Sequence, residues 1–275
     1  MTGPLVSVII PTYNRLLQLG ELLEALARQT YRSLEIIIAN DAGEPVDRVV
    51  ALYGELNVKV VNLPVNGRHV RARNRALEEA AGDYIVLCDD DDLLLPSHVE
   101  RMMREIADCD LVYSDVEIFD YVIEHGARKV TSRSVFAYEH DPEAMRRFST
   151  FVPSGCLYRR SVHQVLGPFD EEMNHYWDWD FYLRAAERLR VKRVPAAGVL
   201  YAFSQQGSNI SGNQGASHRH YLDRLSAKHG LGELPTANFF LLLEEPDVKK
   251  RQSTTEILWD GSPFPSRYRP QAEER

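Results

Sequence analysis

The chain has 275 residues, 44% of them hydrophobic and 26% charged, enough to bury the core of one large domain or two modest ones. A net charge of −8 argues against a general nucleic-acid binder and leaves no basic patch for anionic membranes, so a small-molecule substrate is expected. Three cysteines, Cys88, Cys109 and Cys156, without CxxC spacing suggest neither a disulfide framework nor a zinc site, and a cytoplasmic location fits them.

Val6-Ser7-Val8-Ile9-Ile10 reads as a strand, ended by Pro11 and the turn formers through Arg15. It is too short for a signal or transmembrane segment, as is the later apolar run Phe239 to Leu243, and peripheral membrane contact stays open. Leu16, Leu19, Leu22, Leu23 and Leu26 recur at helical spacing, so strand, polar turn and helix open a βαβ unit. Leu34 to Ala39 gives a second strand, ending in Asn40-Asp41. Val58 to Val61 gives a third, followed by the loop Asn62 to Gly67 and a helix from about His69 to Ala81. Alternating strands and helices predict a mostly parallel sheet whose strand ends converge on one edge, where such sheets bind ligands. Arg68, Arg71 and Arg75 share one face of the helix. Arg68, at its N-terminus, is the better phosphate candidate, because free N–H groups and the helix dipole favour an anion there. A solvated face paired with Glu78 and Glu79 is the competing reading.

Tyr84 to Cys88 is a short apolar run that reads as a buried strand, so Asp89-Asp90-Asp91-Asp92 sit at its C-terminal end. Like charges at ~4 Å repel by on the order of 4 kcal/mol per pair at an effective dielectric of about 20. A hard divalent cation relieves that repulsion, and carboxylate oxygens suit Mg²⁺ or Mn²⁺ with substrate phosphates completing the shell. The bland alternative is a solvated acidic loop.

Pro96 opens a helix with Val99, Met102, Met103 and Ile106 on one face, and Leu111 to Tyr113 starts another strand. Ser114 to Phe151 reads as irregular, with strand-like pieces around Val116–Phe119 and Val130–Val135, as in an antiparallel extension. Phe151 to Arg160 reads as a strand running into a helix start at Ser161. After a turn at Gly167-Pro168-Phe169-Asp170-Glu171, Trp177-Asp178-Trp179-Asp180 leads into a helix, with Asp178 or Asp180 expected as its N-cap. Indole walls lower the dielectric around Asp178 and raise its pKa toward that of a general base. Indoles also stack on sugar rings; core tryptophans around a plain cap are the alternative. Lys192 to Val194 and Gly198 to Phe203 make a last strand or two. The polar loop Ser204 to Ser217 suits a lid or a linker, and helices follow at Tyr221–Leu231 and Phe239–Leu243. From Glu244 a polar, proline-bearing stretch predicts a loosely held tail.

Several of these stretches, in this order, resemble a family 2 glycosyltransferase with the GT-A fold. They are Val6 to Arg15, Asn40-Asp41, Gly67 with Ala72-Arg73-Asn74, Gly82-Asp83-Tyr84-Ile85, Asp89 to Asp92, Gly167 to Glu171, and Trp177 to Asp180. The resemblance implies an α/β architecture, a Rossmann-like, mostly parallel central sheet flanked by helices, with a smaller antiparallel acceptor-side extension. Residues 1–113 would be the nucleotide-sugar-binding half, 114–243 the acceptor-binding and catalytic half of the same domain, and 244–275 the tail. It further implies inverting transfer from a nucleotide sugar to a carbohydrate or other hydroxyl-bearing acceptor, with Mn²⁺ or Mg²⁺ on the diphosphate. Asp91 would be the metal carboxylate of a DxD motif, and Asp89 or Asp90 would hold the donor ribose. Pro11, Thr12, Tyr13, Arg15 and Asp41 would form the base pocket. Asp41 would accept the uracil imide, favouring UDP over GDP or CMP and leaving dTDP open. Arg68 would lie near the diphosphate, Asp178 would be the base, and Trp177 and Trp179 would face the acceptor. A homodimer through the C-terminal helices is a further expectation.

Two positions depart from the pattern. Trp177 stands where the family usually has glutamate, and a shift of two in register would make Asp180 the base. Tyr201-Ala202-Phe203-Ser204 lacks the arginine and histidine often found there, so Asp91 and phosphates alone, or a lid histidine such as His218 or His220, would hold the metal. The competing readings are a catalytically inactive nucleotide-binding protein of this fold and a sugar-phosphate nucleotidyltransferase. The second needs a glycine-rich N-terminal loop that Pro11 to Arg15 is not.

Overall fold

The computed structural model describes residues 3–203, 216–235 and 239–269. Strand β1 (Val6–Thr12) is buried at every residue. Helix α1 (Leu16–Ala27) lays Leu16, Leu19, Leu22, Leu23 and Leu26 into the core, each burial worth about 1.5–3 kcal/mol. Strand β2 (Leu34–Asn40), the single turn α2 (Asp47–Val50), β3 (Val58–Asn62), α3 (Arg68–Glu78) and β4 (Tyr84–Leu87) complete the parallel first half. β1 pairs in parallel with β2 and β4, and β2 with β3. A near-continuous apolar strand such as β1 belongs in the middle of a sheet covered on both faces.

The second half holds β5 (Leu93–Leu94), α4 (His98–Glu105), β6 (Leu111–Glu124), β7 (Ala127–Phe136), β8 (Leu157–Arg159), α5 (Val162–Leu166), α6 (Trp177–Arg188) and β9 (Val191–Ala202). It continues with α7 (Ala216–His229), α8 (Phe239–Leu243), α9 (Pro246–Lys249) and β10 (Glu256–Ile257). The sheet order is β10-β9-β6-β8-β4-β1-β2-β3, with β5 on β9 and β7 on β6. Along that path only β8 runs antiparallel to its neighbours. The mostly parallel sheet with a smaller antiparallel part is therefore as expected.

Four local expectations give way. The stretch after Tyr113 is not irregular: β6 runs 14 residues and turns through His125-Gly126, both at positive φ as a two-residue type I′ hairpin requires, into β7. Asp115 and Glu117 disguise the strand. Both are buried, Asp115 in a bidentate pair with Arg193 at 2.7 and 2.8 Å and Glu117 3.7 Å from Arg133. The division at 113/114 consequently falls inside β6. Likewise β8 is only three residues long where the sequence predicts a strand from Phe151 to Arg160, while the last strand, predicted as one or two, is the single element β9.

The tail is the fourth correction, since the chain through residue 269 is docked rather than loose. β10 adds to the sheet beside β9, Trp259 and Tyr268 are buried, and Arg267 reaches Glu24 at 3.1 Å and Glu55 at 2.6 Å. Its polar composition conceals a few aromatic anchors. Among the described residues no helix is long and apolar enough to cross a membrane. The proposed lid, 204–217, lies outside the described residues up to position 215.

Candidate active site

The loops after β1, β2, β3 and β4 meet at one edge, and side-chain bonds tie them together. Thr12 Oγ1 donates to Asp90 at 2.7 Å. Arg15 reaches Asp90 at 3.1 Å and Asp91 at 2.5 Å. The Gly67 N–H donates to Asp41 Oδ1 at 2.7 Å, and the buried Arg73 of α3 pairs with Asp89. Asn14 and Ala42 in loops at this edge, Arg68 at the start of α3 and Tyr176 just before α6 have φ between 55° and 68°, a conformation non-glycine residues rarely adopt. Such strain persists where surrounding contacts over-determine the backbone, and it gathers at functional sites.

The acid run is pinned residue by residue. Ser154 Oγ accepts the Asp89 N–H at 3.0 Å, Arg128 donates to the Asp91 carbonyl at 2.6 Å, and the Ala202 N–H donates to Asp92 Oδ1 at 2.8 Å. A solvated acidic loop would show none of this. Asp90 is spent internally, its side chain 6% exposed, whereas the Asp89 side chain is 34% exposed and has an open side. Burial is the largest influence on Asp90, Asp91 and Asp92 and pushes all three carboxyls up; Asp90 reaches about 7.

The donor set also fits a divalent cation. Asp89, Asp90 and Asp91 face the guanidiniums of Arg15 and Arg73, Glu21 faces Arg128, and the buried Asp92 Oδ2 has no hydrogen-bond partner among the described residues, so the loop offers hard oxygen ligands whose crowding a cation would relieve. Among the described residues no three histidine, cysteine, aspartate or glutamate side chains converge on one point. Any ion would therefore take most of its shell from phosphates and water, as Mg²⁺ and Mn²⁺ do.

Across the edge, α6 begins at Trp177 behind a left-handed Tyr176, so neither Asp178 nor Asp180 is the N-cap; both lie in the first turn. Asp178 is partly exposed, and burial raises its pKa to about 6, with Arg73 and Asp89 close enough to influence it. Asp180 differs. Burial would raise it, but His229 at 2.8 Å, Arg184 at 2.9 Å and Lys228 at 2.7 Å outweigh that and hold it at about 2. A carboxylate held by Arg184 and Lys228 and by a hydrogen bond with His229 makes a poor base, so the register shift to Asp180 loses its support.

Neither tryptophan offers an open sugar-stacking face, each being 6% exposed. Trp177 lies under the Arg73 guanidinium, 3.8 Å from its ring centre, and Trp179 Nε1 donates to the Met145 carbonyl at 2.8 Å. Trp179 thereby satisfies its buried indole N–H, and Trp177 packs under a guanidinium rather than toward open solvent. Arg68 is exposed at the start of α3 and donates to Tyr221 at 3.4 Å. Tyr221 neighbours His175, and His175 and His218 have ring centres 4.1 Å apart. His220 is exposed beside Tyr221. Tyr13 is exposed at the end of β1, and Pro11, inside β1, lies opposite Ala39.

Arg128 and Glu21 escaped the sequence reading, and Arg73 entered it only within a motif, with no role of its own. Arg73 falls on the stripe Val70, Ala76 and Ala80, opposite the arginine face that drew attention, and a charge on an apolar stripe was the available signal. Glu21 between Leu19 and Leu22 carried the same signal. Nothing local marks Arg128. A separate cavity of about 750 Å³, lined by Pro4, Asp83, Tyr84, Arg159 and Arg160, opens where the strands begin and holds none of these groups.

A mostly parallel sheet with an acidic loop at its strand ends and a partly exposed carboxyl across that edge is the arrangement of a GT-A-type glycosyltransferase. The chain belongs to glycosyl transferase family 2, whose model matches residues 7–167. It is 56% identical over 262 residues to the uncharacterized glycosyltransferase YwdF of Bacillus subtilis, covering 95% of this chain and 98% of that one. Among solved structures it resembles S. aureus TarS 1–349 in complex with UDP-GlcNAc. There the TM-score is 0.65 at 20% identity, over 82% of this chain and 66% of that chain. It also resembles the mannosyltransferase PcManGT from Pyrobaculum calidifontis in complex with GDP-Man and Mn²⁺. There the TM-score is 0.59 at 19% identity, over 84% and 66%. At those identities the structures speak to the fold alone.

Proposed function

We propose that the enzyme transfers a sugar, with inversion, from a UDP-sugar to an acceptor hydroxyl, using Asp178 as general base and a divalent cation at Asp91. The observation that carries this reading is the pairing of two differently tuned carboxyl sites. The Asp89–Asp92 carboxyls are crowded at the strand ends against Arg15 and Arg73, and Asp178 is raised to about 6 with Arg73 between them.

Asp89, with its open side, faces the ribose, since Asp90 is occupied by Thr12 and Arg15. The uracil lies against Tyr13, and its imide N–H donates to the Asp41 oxygen that Gly67 leaves without a partner among the described residues. Fold neighbours solved with UDP-GlcNAc and with GDP-Man differ in base, so base choice rests on Asp41 and its surroundings. Thr12 acts through Asp90, and Arg68 at the α3 N-terminus steadies the leaving diphosphate.

Asp178 accepts the proton of the acceptor hydroxyl, whose oxygen attacks the anomeric carbon from the side opposite the nucleotide. The bond to the diphosphate breaks, its electron pair leaves with the diphosphate, and the configuration inverts. Mn²⁺ or Mg²⁺, when bound, neutralises charge on that leaving group.

Calorimetric titration of UDP, dTDP, GDP and CMP, with and without Mn²⁺, tests the donor site on wild type and Asp91→Ala. Manganese-dependent UDP binding that disappears in the variant is expected. Folded protein that binds no nucleotide would overturn the reading.

A further inference from the structure

Arg128 of β7 and Glu21 of α1 form an ion pair at 2.5 Å with side chains 0% and 2% exposed, far from each other in sequence and remote from solvent. Stripping two charges of water costs several kcal/mol, and well-packed apolar residues often serve stability as well or better. The pair therefore calls for a reason other than stability. Its geometry supplies one: Arg128 Nε holds Glu21 while Nη1 donates to the Asp91 carbonyl at 2.6 Å.

Asp91 is thus gripped at both ends, through its carboxylate by Arg15 and through its main chain by Arg128. The two grips differ in kind. The Arg15 contact occupies the oxygens that a ligand would use, and the Arg128 contact leaves them alone. The guanidinium is boxed in by aromatic rings, with Tyr121 centred 5.0 Å away and Phe119 and Phe264 each 5.2 Å away. Phe264 comes from the C-terminal segment, seats on Phe119 at 4.9 Å and stacks on Trp259 at 5.7 Å. That segment lies about a hundred residues beyond the stretch matched by the family model.

We infer that Arg128, backed by Glu21 and sealed by Phe264, is a positioning residue that aims the Asp91 carboxylate at the donor's metal–diphosphate, so the C-terminal segment helps build the donor site. This rests on the donor site proposed above.

The test is calorimetry of UDP with Mn²⁺, alongside thermal melting, on wild type, Arg128→Lys, Arg128→Met, Phe264→Leu and, as a control on the same strand, the exposed Lys129→Ala. Lysine keeps the charge but cannot hold Glu21 and the Asp91 carbonyl with one rigid fork. Loss of such a supporting partner typically weakens a metal site by about 10–100-fold. Both Arg128 variants should accordingly raise the Kd for UDP with Mn²⁺ by at least about tenfold, with stoichiometry held at wild-type level. Phe264→Leu removes the ring over the guanidinium and should raise Kd by about threefold. Lys129→Ala should bind as wild type. A purely structural role would lower the melting temperature and the stoichiometry but leave Kd unchanged, and that result overturns the inference. If both Arg128 variants fail to fold, Phe264→Leu decides by the same criterion. Wild type that binds no nucleotide removes the donor-site reading itself, whereas a tight-binding wild type with unaffected variants removes only this inference.

Discussion

Burial holds the Asp178 carboxyl near pH 6, and the same shift opposes folding while suiting the general-base role proposed for it. The folded value lies above the ordinary 3.8, so the unfolded chain releases its proton first as pH rises. Stability therefore falls between about pH 4 and pH 6 and stays lower above that window. At about 1.4 kcal/mol per unit, and allowing for solvent on the open side, the cost at pH 7 is about 2 kcal/mol. Asp178→Asn should accordingly be more stable than wild type at pH 7 in chemical denaturation, while its turnover falls about 10²–10⁴-fold. Wild-type kcat/KM should climb with pH and level off above about 6. A variant that lost stability and activity together would mark Asp178 as structural. Residues such as Asp91 and Asp178 could be singled out from sequence because their neighbours are chemically unusual. Arg128 could not be, because what distinguishes it is burial against Glu21, 107 residues away, and the role of Arg73 shows only in its pairing with Asp89.

At the scale of elements, the start of α6 depends on α7. Asp180 ties the first turn of α6 to Lys228 and His229, and Lys228 also reaches Asp170 at 2.7 Å in the turn before α6. Here the pKa argument runs the other way. Asp180 is held at about 2, below its ordinary 3.8, so it stabilises the fold above about pH 4, and that contribution disappears as pH falls toward 2. Asp180→Asn should remove about 2 kcal/mol at pH 7 and flatten the wild-type loss of stability between pH 4 and pH 2, as followed by urea melts across that range. An unchanged acid profile would show that α7 docks without this clamp. The strands of the first half were legible, since apolar runs bounded by Pro, Gly and Asn mark them. β6 was not, because Asp115 and Glu117 break its pattern until Arg193 and Arg133 are placed beside them.

For the whole molecule, the donor site proposed at the four strand ends would couple ligand binding to global stability. UDP with Mn²⁺ at 100 times Kd should stabilise wild type by about 2.7 kcal/mol. Thermal scanning should show a rise of a few degrees that Asp91→Ala abolishes. Equal shifts in both proteins would place the ion elsewhere. Composition and periodicity alone determined an α/β chain with a parallel first half and an acid run at a strand end. Those features are encoded in nearest-neighbour spacing, where a period of 2 or 3.6 and a breaker residue suffice. Tertiary structure alone decided that Trp177 and Trp179 are buried, that Asp180 is tied to Arg184, Lys228 and His229, and that the tail is docked. It also revealed Arg128 behind Asp91. Each depends on which distant side chain satisfies a buried charge or indole N–H, and that pairing exists only once the chain has closed on itself.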